Sequence, residues 1–438
     1  MNRSLIIILV AGLLVRLFLF FYFLNEPNFF WDDDSNTYIY TAENMLAGNG
    51  FSWDTHPPYR PDAFRTPGYP IFLLLHIVLF GNYYVALITQ LLLGLGIAFF
   101  IFLLAKEYGS PKTGYWAAAV FLAMPFSIMV NLRFLTQSLF AFTLIMAVWF
   151  WLKFLKSGGM KNLLITAILL PILALIRPIA QFIYLPFILS FIYSNLINGN
   201  LKVKNVFRVG VVVGAIFFLG IFPWLYRNYV VFGHFSISSI VPSQMYFYDA
   251  PDVYAYNHGI SKGEAANILV RRAEKDFGAK MGEFSSLFSS GAYLKEKALE
   301  IMFEHPSSLF IVRGTQFFKF FIRDGTHYWS EKTLPLPQVS IEFIKSMTPL
   351  LFFVVLERFF LFLLFLGTVV TAISSFRNTD KGKKVVVGLL TLVILYFASL
   401  SGTMSSAGLR YPIEALFILT GLTGLSKLSK YVQYCRHN

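Results

Sequence analysis

Apolar residues form long stretches along this chain, and short polar segments separate them. A helix needs roughly 20 apolar residues to cross the hydrocarbon layer of a membrane, which is about 30 Å thick. Ten stretches come near that length: residues 4–24, 83–105, 114–131, 135–155, 162–177, 178–196, 209–225, 349–373, 385–401 and 413–429. We therefore predict an all-α integral membrane protein with about ten transmembrane helices.

Two further apolar stretches are predicted not to span the membrane. Residues 68–81, "GYPIFLLLHIVLFG", are too few to cross it, and residues 304–322 contain Arg313 and Lys319. We expect both stretches to form interfacial helices in the outer loops.

Lysine and arginine indicate which loops face the cytoplasm, because they accumulate in short cytoplasmic loops. If the N-terminus is inside and the ten stretches alternate, sixteen of these residues fall in inner segments. Five fall in the short outer segments, and they are Arg60, Arg65, Arg133, Arg177 and Arg410. This asymmetry predicts that both termini are inside, and it favours the cytoplasmic (inner) membrane as the location.

The composition agrees with a membrane protein. The chain has 438 residues, of which 56% are hydrophobic and 13% charged, and its mean hydropathy is +0.62. The net charge of +13 comes mostly from the inner loops, so it indicates topology and we expect no nucleic acid partner. The single cysteine, Cys435, excludes a disulfide within the chain and a cysteine-based metal site.

This division of the chain predicts three parts. Residues 1–225 form an N-terminal transmembrane module whose first outer loop is residues 25–82. Residues 226–348 form a long extracytoplasmic loop with interfacial helices, and residues 349–438 form a C-terminal transmembrane module. The long loop is too poor in apolar helix or strand pattern to predict an independent folded domain.

The first outer loop carries seven acidic residues, whereas the short outer turns carry none, and three of the seven are adjacent in "NFFWDDDSNTYIY", residues 28–40. The sequence after the acids predicts a short helix, with Asp33 or Asp34 as its N-cap and a stop at Gly48 or Gly50. Asp34 and Tyr38 then lie on one face of that helix. Either the acids only cap the helix and face water, or they belong to a functional site.

Arginines at the same predicted depth favour the functional interpretation. Arg65 lies in the proline-rich turn "YRPDAFRTPGYP", and a guanidinium there is suited to bind a phosphate with two hydrogen bonds. Arg177, Arg227 and Arg410 are predicted at the same outer face. Interaction with ordinary lipid headgroups explains any one of them, but charges that converge at a bilayer edge tend to be functional. We infer an extracytoplasmic active site for a lipid-linked phosphate, with a carboxylate base.

Short motifs in these regions resemble one known family. They are "DSNTY", "AENMLAGNGF", "RTPGYPIFLLL", "LTQSLF", "LIRP", "PWLYRNYVVFGHFSIS", "HPSSLF" and "LRYPIEALF", in family order along almost the whole chain. The sequence resembles the GT-C membrane glycosyltransferases, in the bacterial branch similar to protein O-mannosyltransferases of glycosyltransferase family 39 and to the lipid A aminoarabinose transferase.

The resemblance implies a GT-C fold and a polyprenyl-phosphate sugar donor. It implies transfer on the extracytoplasmic face, with inversion at the anomeric carbon, to an acceptor that is a glycan, a lipid or a protein. It carries the catalytic Asp of the family onto Asp34 and the phosphate-binding cation onto Arg65. Where many relatives have a Glu, this chain has Gln137, so any role of that Glu is absent or has moved to Asp33 or Glu43.

Other residues complete the candidate site. Tyr38 and Tyr69 are candidates for donor binding, and Glu43 and His56 are candidates for substrate binding from the first outer loop. Two candidates from the long outer loop, in "SQMYFYDAPDVYAYNHG", are Tyr246 and Tyr248. No cofactor is indicated with certainty. The carboxylates with His56 could hold a divalent metal, but their spacing has no diagnostic pattern and metal dependence is left open.

Two other functions fit parts of the pattern. An O-antigen ligase or polymerase also has a large outer loop and functional arginines, but it uses a lipid pyrophosphate donor and gives no reason for the aspartate helix followed by "RTPGYP". A flippase or transporter of lipid-linked sugars is expected to place charged groups near the middle of the bilayer. Here the candidates are few, because Arg16, Glu357 and Arg358 are the charged residues that lie well inside a predicted span rather than near its ends.

Overall fold

The computed structural model describes residues 3–107, 110–284, 287–325, 341–402 and 407–437, and every regular element in these ranges is a helix. The helices of the first half are α1 (Arg3–Tyr22), α2 (Ser35–Leu46), α3 (Gly68–Phe80), α4 (Val85–Glu107), α5 (Pro111–Ala123), α6 (Pro125–Asn131), α7 (Gln137–Ser157), α8 (Met160–Ile176), α9 (Tyr184–Asn198) and α10 (Val203–Phe232). The later helices are α11 (Ile240–Gln244), α12 (Ala250–His258), α13 (Lys262–Phe277), α14 (Met281–Phe284), α15 (Phe288–Glu304), α16 (Pro306–Ile322), α17 (Ile341–Phe376), α18 (Lys381–Leu400) and α19 (Ala407–His437).

Seven helical segments in the described ranges are long and apolar enough to cross a membrane, and they are Arg3–Tyr22, Val85–Glu107, Gln137–Ser157, Pro178–Asn198, Val203–Phe232, Phe352–Phe376 and Lys381–Leu400. The number becomes eight if α5 and α6, which meet at a bend of 63°, cross together. The two other predicted stretches lie on α8, which has 17 residues, and on α19. A multi-pass membrane protein is therefore confirmed, whereas ten spans with both termini inside stay a prediction.

The C-terminal helices α17 and α19 pack with their backbones in close contact. A Cβ atom added at Gly424 would lie 1.8 Å from the carbonyl oxygen of Gly367, so only glycine fits at this crossing. Thr371 of α17 donates a hydrogen bond to the carbonyl oxygen of Thr420 on α19 at 2.8 Å. Small residues and hydroxyl groups of this kind are the usual means of joining helices in a membrane, where apolar burial gives little driving force.

Arg16 has a structural role inside the bundle. Its side chain is fully buried, and its Nε donates to Asn131 Oδ1 at 2.9 Å while Nη1 donates to the carbonyl oxygen of Leu122 at 2.9 Å. Asn131 in turn donates to Tyr411 Oη at 2.9 Å. The arginine therefore joins α1 to the bent pair α5–α6 and to α19, and these contacts account for a charge within a span without a transport pathway.

The long outer loop is folded, although its sequence did not predict a folded unit. Helices α11–α16 enclose a hydrophobic cluster of their own, whose buried members include Tyr246, Phe247, Leu269, Leu294 and Ile301. The described part of this loop packs against the same end of the bundle as the first outer loop, where Ser238 Oγ donates to the carbonyl oxygen of Phe64. Both loops are thus in place to form one site.

Candidate active site

A cavity of about 430 Å³ opens where the two outer loops meet the ends of the spanning helices. Its walls come from the first outer loop, the start of α7, the residues after α8, the turn after α11 and the end of α18. Its charged and amide side chains are Asp34, Arg65, Gln137, Arg177, Gln181, Gln244, Asp249 and Arg313. A cavity of this size with a few convergent polar groups is the usual form of a small-molecule site.

Asp34 is presented to the cavity by the start of α2. It occupies the N-cap position, but its side chain makes no capping hydrogen bond to the helix. Instead its Oδ1 lies 2.5 Å from Nη2 of Arg65, and 53% of the side chain is exposed. The carboxylate is therefore directed at a cation and at open space, and it does not cap the helix with its side chain.

The turn before α3 fixes Arg65. Asp62 accepts hydrogen bonds from the backbone N–H groups of Phe64 at 2.8 Å and Arg65 at 2.9 Å, which closes the turn. The Arg65 side chain is 12% exposed. Its guanidinium lies 4.8 Å from the ring centre of Tyr38, and its Nη1 donates to Tyr38 Oη at 3.2 Å. Contacts with Tyr38 and Asp34 thus fix the Arg65 guanidinium, and a fixed guanidinium is suited to bind a phosphate.

Burial raises the pKa of two ionisable groups near the site, Tyr38 and Asp62. Burial raises the pKa of Tyr38 above its ordinary value, although the charges of Arg65 and Arg177 lower it. Tyr38 therefore stays a neutral hydroxyl at physiological pH. Burial also raises the pKa of Asp62, and the N–H groups of Phe64 and Arg65 oppose that rise. Both directions follow from the cost of placing charge in a medium that water does not reach.

Arg177 reaches the same cavity because α8 ends at Ile176 and the chain turns there. Thr66 Oγ1 donates to the carbonyl oxygen of Ile176 at 3.1 Å, which ties the Arg65 turn to the end of α8. A Cβ atom added at Gly68 would lie 2.7 Å from the carbonyl oxygen of Leu175, so glycine is needed for this approach. The two arginines are therefore brought together by direct backbone contact.

The three adjacent acids have different surroundings. Asp32 forms an ion pair with Arg133, with Oδ2 and Nη1 2.9 Å apart. Asp33 is exposed and lies outside the lining that the structure gives the cavity. Because Asp32 and Asp34 turn to different arginines, the carboxylates do not converge on a point where a cation could sit. Among the described residues no group of three or more His, Cys, Asp or Glu is arranged to hold a metal ion.

Two predicted phosphate ligands, Arg227 and Arg410, lie outside the cavity walls as the structure describes them. Arg227 donates to the carbonyl oxygen of Asp62 at 2.7 Å and stacks on Trp224, with 4.8 Å to its ring centre. Arg410 is fully buried, pairs with Glu414 at 2.6 Å and donates to the carbonyl oxygen of Arg323 at 2.6 Å. Both arginines donate to backbone carbonyl oxygens and Arg410 also donates to Glu414, whereas Nη2 of Arg410 is buried with no hydrogen-bond partner among the described residues. These contacts indicate a structural role for both arginines.

Four other predicted residues also lie elsewhere. Tyr69 is fully buried and donates to Gln90 Oε1 at 2.7 Å, so it belongs to the core under α3. Glu43 and His56 are exposed, and His56 Nδ1 lies 2.8 Å from Thr55 Oγ1. Tyr246 is buried in the cluster of the long outer loop and donates to the carbonyl oxygen of Leu269 at 3.0 Å.

The long outer loop contributes other residues than the tyrosines that its sequence indicated. Tyr248 is 41% exposed and lies outside the described lining of the cavity. Asp249, one residue later, lines the cavity and pairs with Arg313 of α16 at 3.0 Å. The sequence pattern indicated the tyrosines of this segment as site residues and did not indicate Asp249 or Arg313. Two signals for them were present in the sequence, an acid within the aromatic segment and an arginine within an amphipathic helix.

The chain matches one family model over part of its length. Residues 63–226 match the family described as dolichyl-phosphate-mannose-protein mannosyltransferase. The matched segment contains Arg65, Gln137 and Arg177 and begins after Asp34. A comparison with curated proteins finds no match.

Solved structures with a similar fold are oligosaccharyltransferases. The apo oligosaccharyltransferase from Archaeoglobus fulgidus is 16% identical with a TM-score of 0.54, over 99% of this chain and 51% of that one. The AglB oligosaccharyltransferase of the same organism, in complex with an inhibitory peptide and a dolichol-phosphate, is 14% identical with a TM-score of 0.54 and the same coverage. ArnT from Cupriavidus metallidurans, bound to undecaprenyl phosphate, is 14% identical with a TM-score of 0.43, over 96% of this chain and 78% of that one.

The comparisons with solved structures show the fold of the protein. The likeness to the two archaeal structures shows an all-α membrane protein with the GT-C-type fold, as the sequence resemblance predicted. The chain spans about half the length of the archaeal structures that it matches.

Proposed function

We propose that the protein transfers a sugar from a polyprenyl-phosphate-linked donor to the hydroxyl group of an acceptor at the extracytoplasmic face of the membrane. The observation that carries this proposal is the Asp34–Arg65 pair in the cavity, at 2.5 Å. A carboxylate that can take a proton and a guanidinium that can bind a phosphate lie side by side. These are the two groups that such a transfer requires.

Asp34 acts as the general base. The acceptor hydroxyl attacks the anomeric carbon of the sugar, its proton passes to a carboxylate oxygen of Asp34, and the bond between the anomeric carbon and the phosphate oxygen breaks. A single displacement of this kind inverts the anomeric configuration. Proton removal by a positioned base contributes about 10² to 10⁴ in rate.

Arg65 and Arg177 bind the leaving phosphate. When the donor enters, its phosphate competes with Asp34 for the Arg65 guanidinium, and Tyr38, which stays neutral, offers a hydroxyl as a further donor. Loss of one preorganised donor to a developing charge costs about 10² to 10³ in rate. The departing group is polyprenyl phosphate, which takes the electron pair of the broken bond.

Three observations support a lipid-linked donor. The matched family is described by a dolichyl-phosphate sugar, and AglB, which shares the fold, is described with a dolichol-phosphate. The cavity lies at the end of the bundle that the basic residues assign to the outside. Nucleotide sugars are made in the cytoplasm, so an enzyme on the outside needs a sugar carried across on a lipid. The acceptor is a glycan, a lipid or a protein.

Transfer of label tests this function directly. Polyprenyl phosphates carrying radiolabelled hexoses or pentoses are added to membranes that contain the wild-type protein, Asp34→Asn or Asp33→Asn. We expect label in one fraction among lipid, glycan and protein for wild type and Asp33→Asn, and a loss of at least 100-fold for Asp34→Asn. No transfer from any donor would contradict the proposal, and transfer from lipid pyrophosphate sugars alone would support a ligase instead.

A further inference from the structure

A second ion pair lies in the same cavity as Asp34 and Arg65. Asp249 ends the π-helical turn Met245–Asp249, and Arg313 lies on α16. Asp249 Oδ2 and Arg313 Nη2 are 3.0 Å apart, and their side chains are 13% and 37% exposed. Both residues line the cavity, although they come from the long outer loop.

The fold of the long outer loop fixes this pair. Tyr246 and Phe247 are buried in the cluster of that loop, which holds the π-helical turn in place. Single π-helical turns inside helices occur often at functional sites. The pair also packs against the end of α18, since a Cβ atom added at Gly402 would lie 2.7 Å from Asp249 Oδ1 and 3.2 Å from Arg313 Nη1. Gly402 has φ +55°, so glycine is favoured there for two reasons.

The charged side chains that line the cavity form two groups. In the first group, Arg65 and Arg177 exceed Asp34 by one positive charge, which suits a phosphate. In the second group, Asp249 and Arg313 pair with each other, so within the described lining this group has no excess positive charge for a second phosphate. It has instead a carboxylate that accepts hydrogen bonds, a guanidinium that donates them, and the nearby amide of Gln244. Those are the partners that the hydroxyl groups of a neutral sugar require.

We propose that Asp249 and Arg313 form a subsite for the hydroxyl groups of the sugar that is transferred. This inference rests on the proposed function and adds the recognition of the sugar to it. The donor phosphate lies against Arg65 and Arg177, and the sugar extends across the cavity to Asp249. The Asp249–Arg313 pair thereby determines which sugar the protein accepts.

The matched variants Asp249→Asn and Asp252→Asn test the subsite. Asp252 lies three residues after Asp249 and outside the described cavity lining. Its carboxylate pairs with Lys262 at 3.0 Å and accepts a hydrogen bond from Gln316 of α16 at 3.2 Å. With the donor that labels membranes of the wild type, we expect Asp249→Asn to lower kcat/KM about 10- to 100-fold, the effect of losing one hydrogen bond to a charged group. Asp252→Asn should stay within threefold of wild type.

Donors that lack single hydroxyl groups identify the contact. Removing the hydroxyl that Asp249 binds should lower kcat/KM of the wild type about 10-fold or more and that of Asp249→Asn at most about twofold, since coupled partners are not additive. Binding of sugar-free polyprenyl phosphate should be the same in wild type and Asp249→Asn.

Two results would overturn the inference while the proposed function stands. One is unchanged kcat/KM in Asp249→Asn with equal penalties for every deoxy donor. The other is loss of sugar-free polyprenyl phosphate binding in Asp249→Asn and Arg313→Lys, which would show that the pair maintains the fold. Failure of the wild type to transfer sugar from any donor would overturn the proposed function and the subsite with it.

Discussion

Neighbouring acids of the first outer loop have different partners in the structure. Asp32 pairs with Arg133, which is 2% exposed, and Ser35 Oγ donates to the carbonyl oxygen of Phe134 at 3.0 Å. These contacts tie the start of α2 to the segment between α6 and α7. Asp34 lies two residues after Asp32 with half of its side chain exposed in the cavity. The anchored neighbour therefore fixes the position from which Asp34 reaches Arg65.

Replacing Arg65 should weaken binding of the donor lipid. Arg65→Ala removes both the charge and the planar fork of donors, and we expect the Kd for polyprenyl phosphate to rise about 10- to 100-fold. Arg65→Lys keeps the charge without the fork, so its Kd should lie between those of Arg65→Ala and wild type. The measurement is equilibrium binding of a labelled polyprenyl phosphate to the purified protein in detergent.

Arg60→Ala is the control for this experiment. Arg60 lies in the same loop and pairs with Asp54 at 2.8 Å, but its side chain is 77% exposed and it lies outside the described cavity walls. Its replacement should leave the Kd within twofold of wild type. If Arg65→Ala and Arg65→Lys both bind the lipid as tightly as wild type, Arg65 is not a phosphate ligand.

Sequence alone indicated the charged residues of the site but not the direction of each side chain. Asp34, Arg65 and Arg177 were predicted at one depth and do meet in the cavity. Arg227 and Arg410 were predicted at the same depth, yet both donate to backbone carbonyl oxygens and lie outside the described cavity walls. A hydropathy pattern fixes depth along a helix, whereas direction depends on tertiary packing that a single sequence does not report.

The segment between α2 and α3 joins the first outer loop to the bundle. Its end enters α3 at Gly68, where the backbone lies against Leu175 and Ile176 at the end of α8. The same contact places Arg65 and Arg177 in one cavity. A change in the spacing of α3 and α8 would therefore change the distance between the two arginines.

Gly68→Ala tests the importance of this contact. The added methyl group would lie 2.7 Å from the carbonyl oxygen of Leu175, and overpacking of this kind costs about 1–3 kcal/mol. We expect a lower thermal unfolding temperature and at least a tenfold loss of sugar transfer. Gly214→Ala in α10 is the control, because nothing lies within 4 Å of the added methyl group. Equal stability and activity of the two variants would show that the α3–α8 spacing is not important.

Helices with a clear sequence pattern were predicted, whereas helices that are stabilised mainly by packing against one another were not. The helix after the acids was predicted, and it forms as Ser35–Leu46, followed by Gly48 with φ +80°. The fold of the long outer loop was missed, although Ala265, Leu269 and Ala273 lie buried at a helical spacing on α13. Small side chains such as alanine carry little hydropathy signal, so the helices of this loop acquire their core only by packing together.

The whole molecule has two ends of different chemistry. One end holds the cavity with its arginines and carboxylates. At the other end α4 and α7 finish together, where Glu107 accepts from Lys153 at 2.6 Å and from Lys156 at 2.9 Å. The lysine-rich end matches the side that the positive residues predict to be cytoplasmic. If this predicted orientation holds, the proposed transfer takes place on the outer side.

Labelling of single cysteines tests the orientation of the molecule. In a Cys435→Ser background, Thr55→Cys in the first outer loop and Ser157→Cys at the C-terminal end of α7 each introduce one exposed thiol. A membrane-impermeant maleimide added outside intact spheroplasts should label Thr55→Cys and leave Ser157→Cys unlabelled until the membrane is permeabilised. The reverse pattern would place the cavity in the cytoplasm and remove the reason for a lipid-linked donor.

Hydropathy predicted that the whole molecule is a helical membrane protein, but it did not predict the number of spans reliably. Helix α8 carries a predicted span but is only 17 residues long, and the predicted span at residues 114–131 is divided between α5 and α6. Proline explains the division, because Pro125 is the first residue of α6 and disfavours a helical conformation at Met124. Composition identifies apolar segments but does not show where they bend.

Single-turnover transfer by Asp34→Asn, measured together with binding of polyprenyl phosphate, tests most directly whether Asp34 is the base. We expect a transfer rate about 10² to 10⁴ lower than that of wild type, because the base is lost. We also expect Asp34→Asn to bind polyprenyl phosphate at least as tightly as wild type does, because Asp34 no longer competes for Arg65. Transfer at the wild-type rate, with the same donor bound to saturation, would contradict the role of Asp34 as the base.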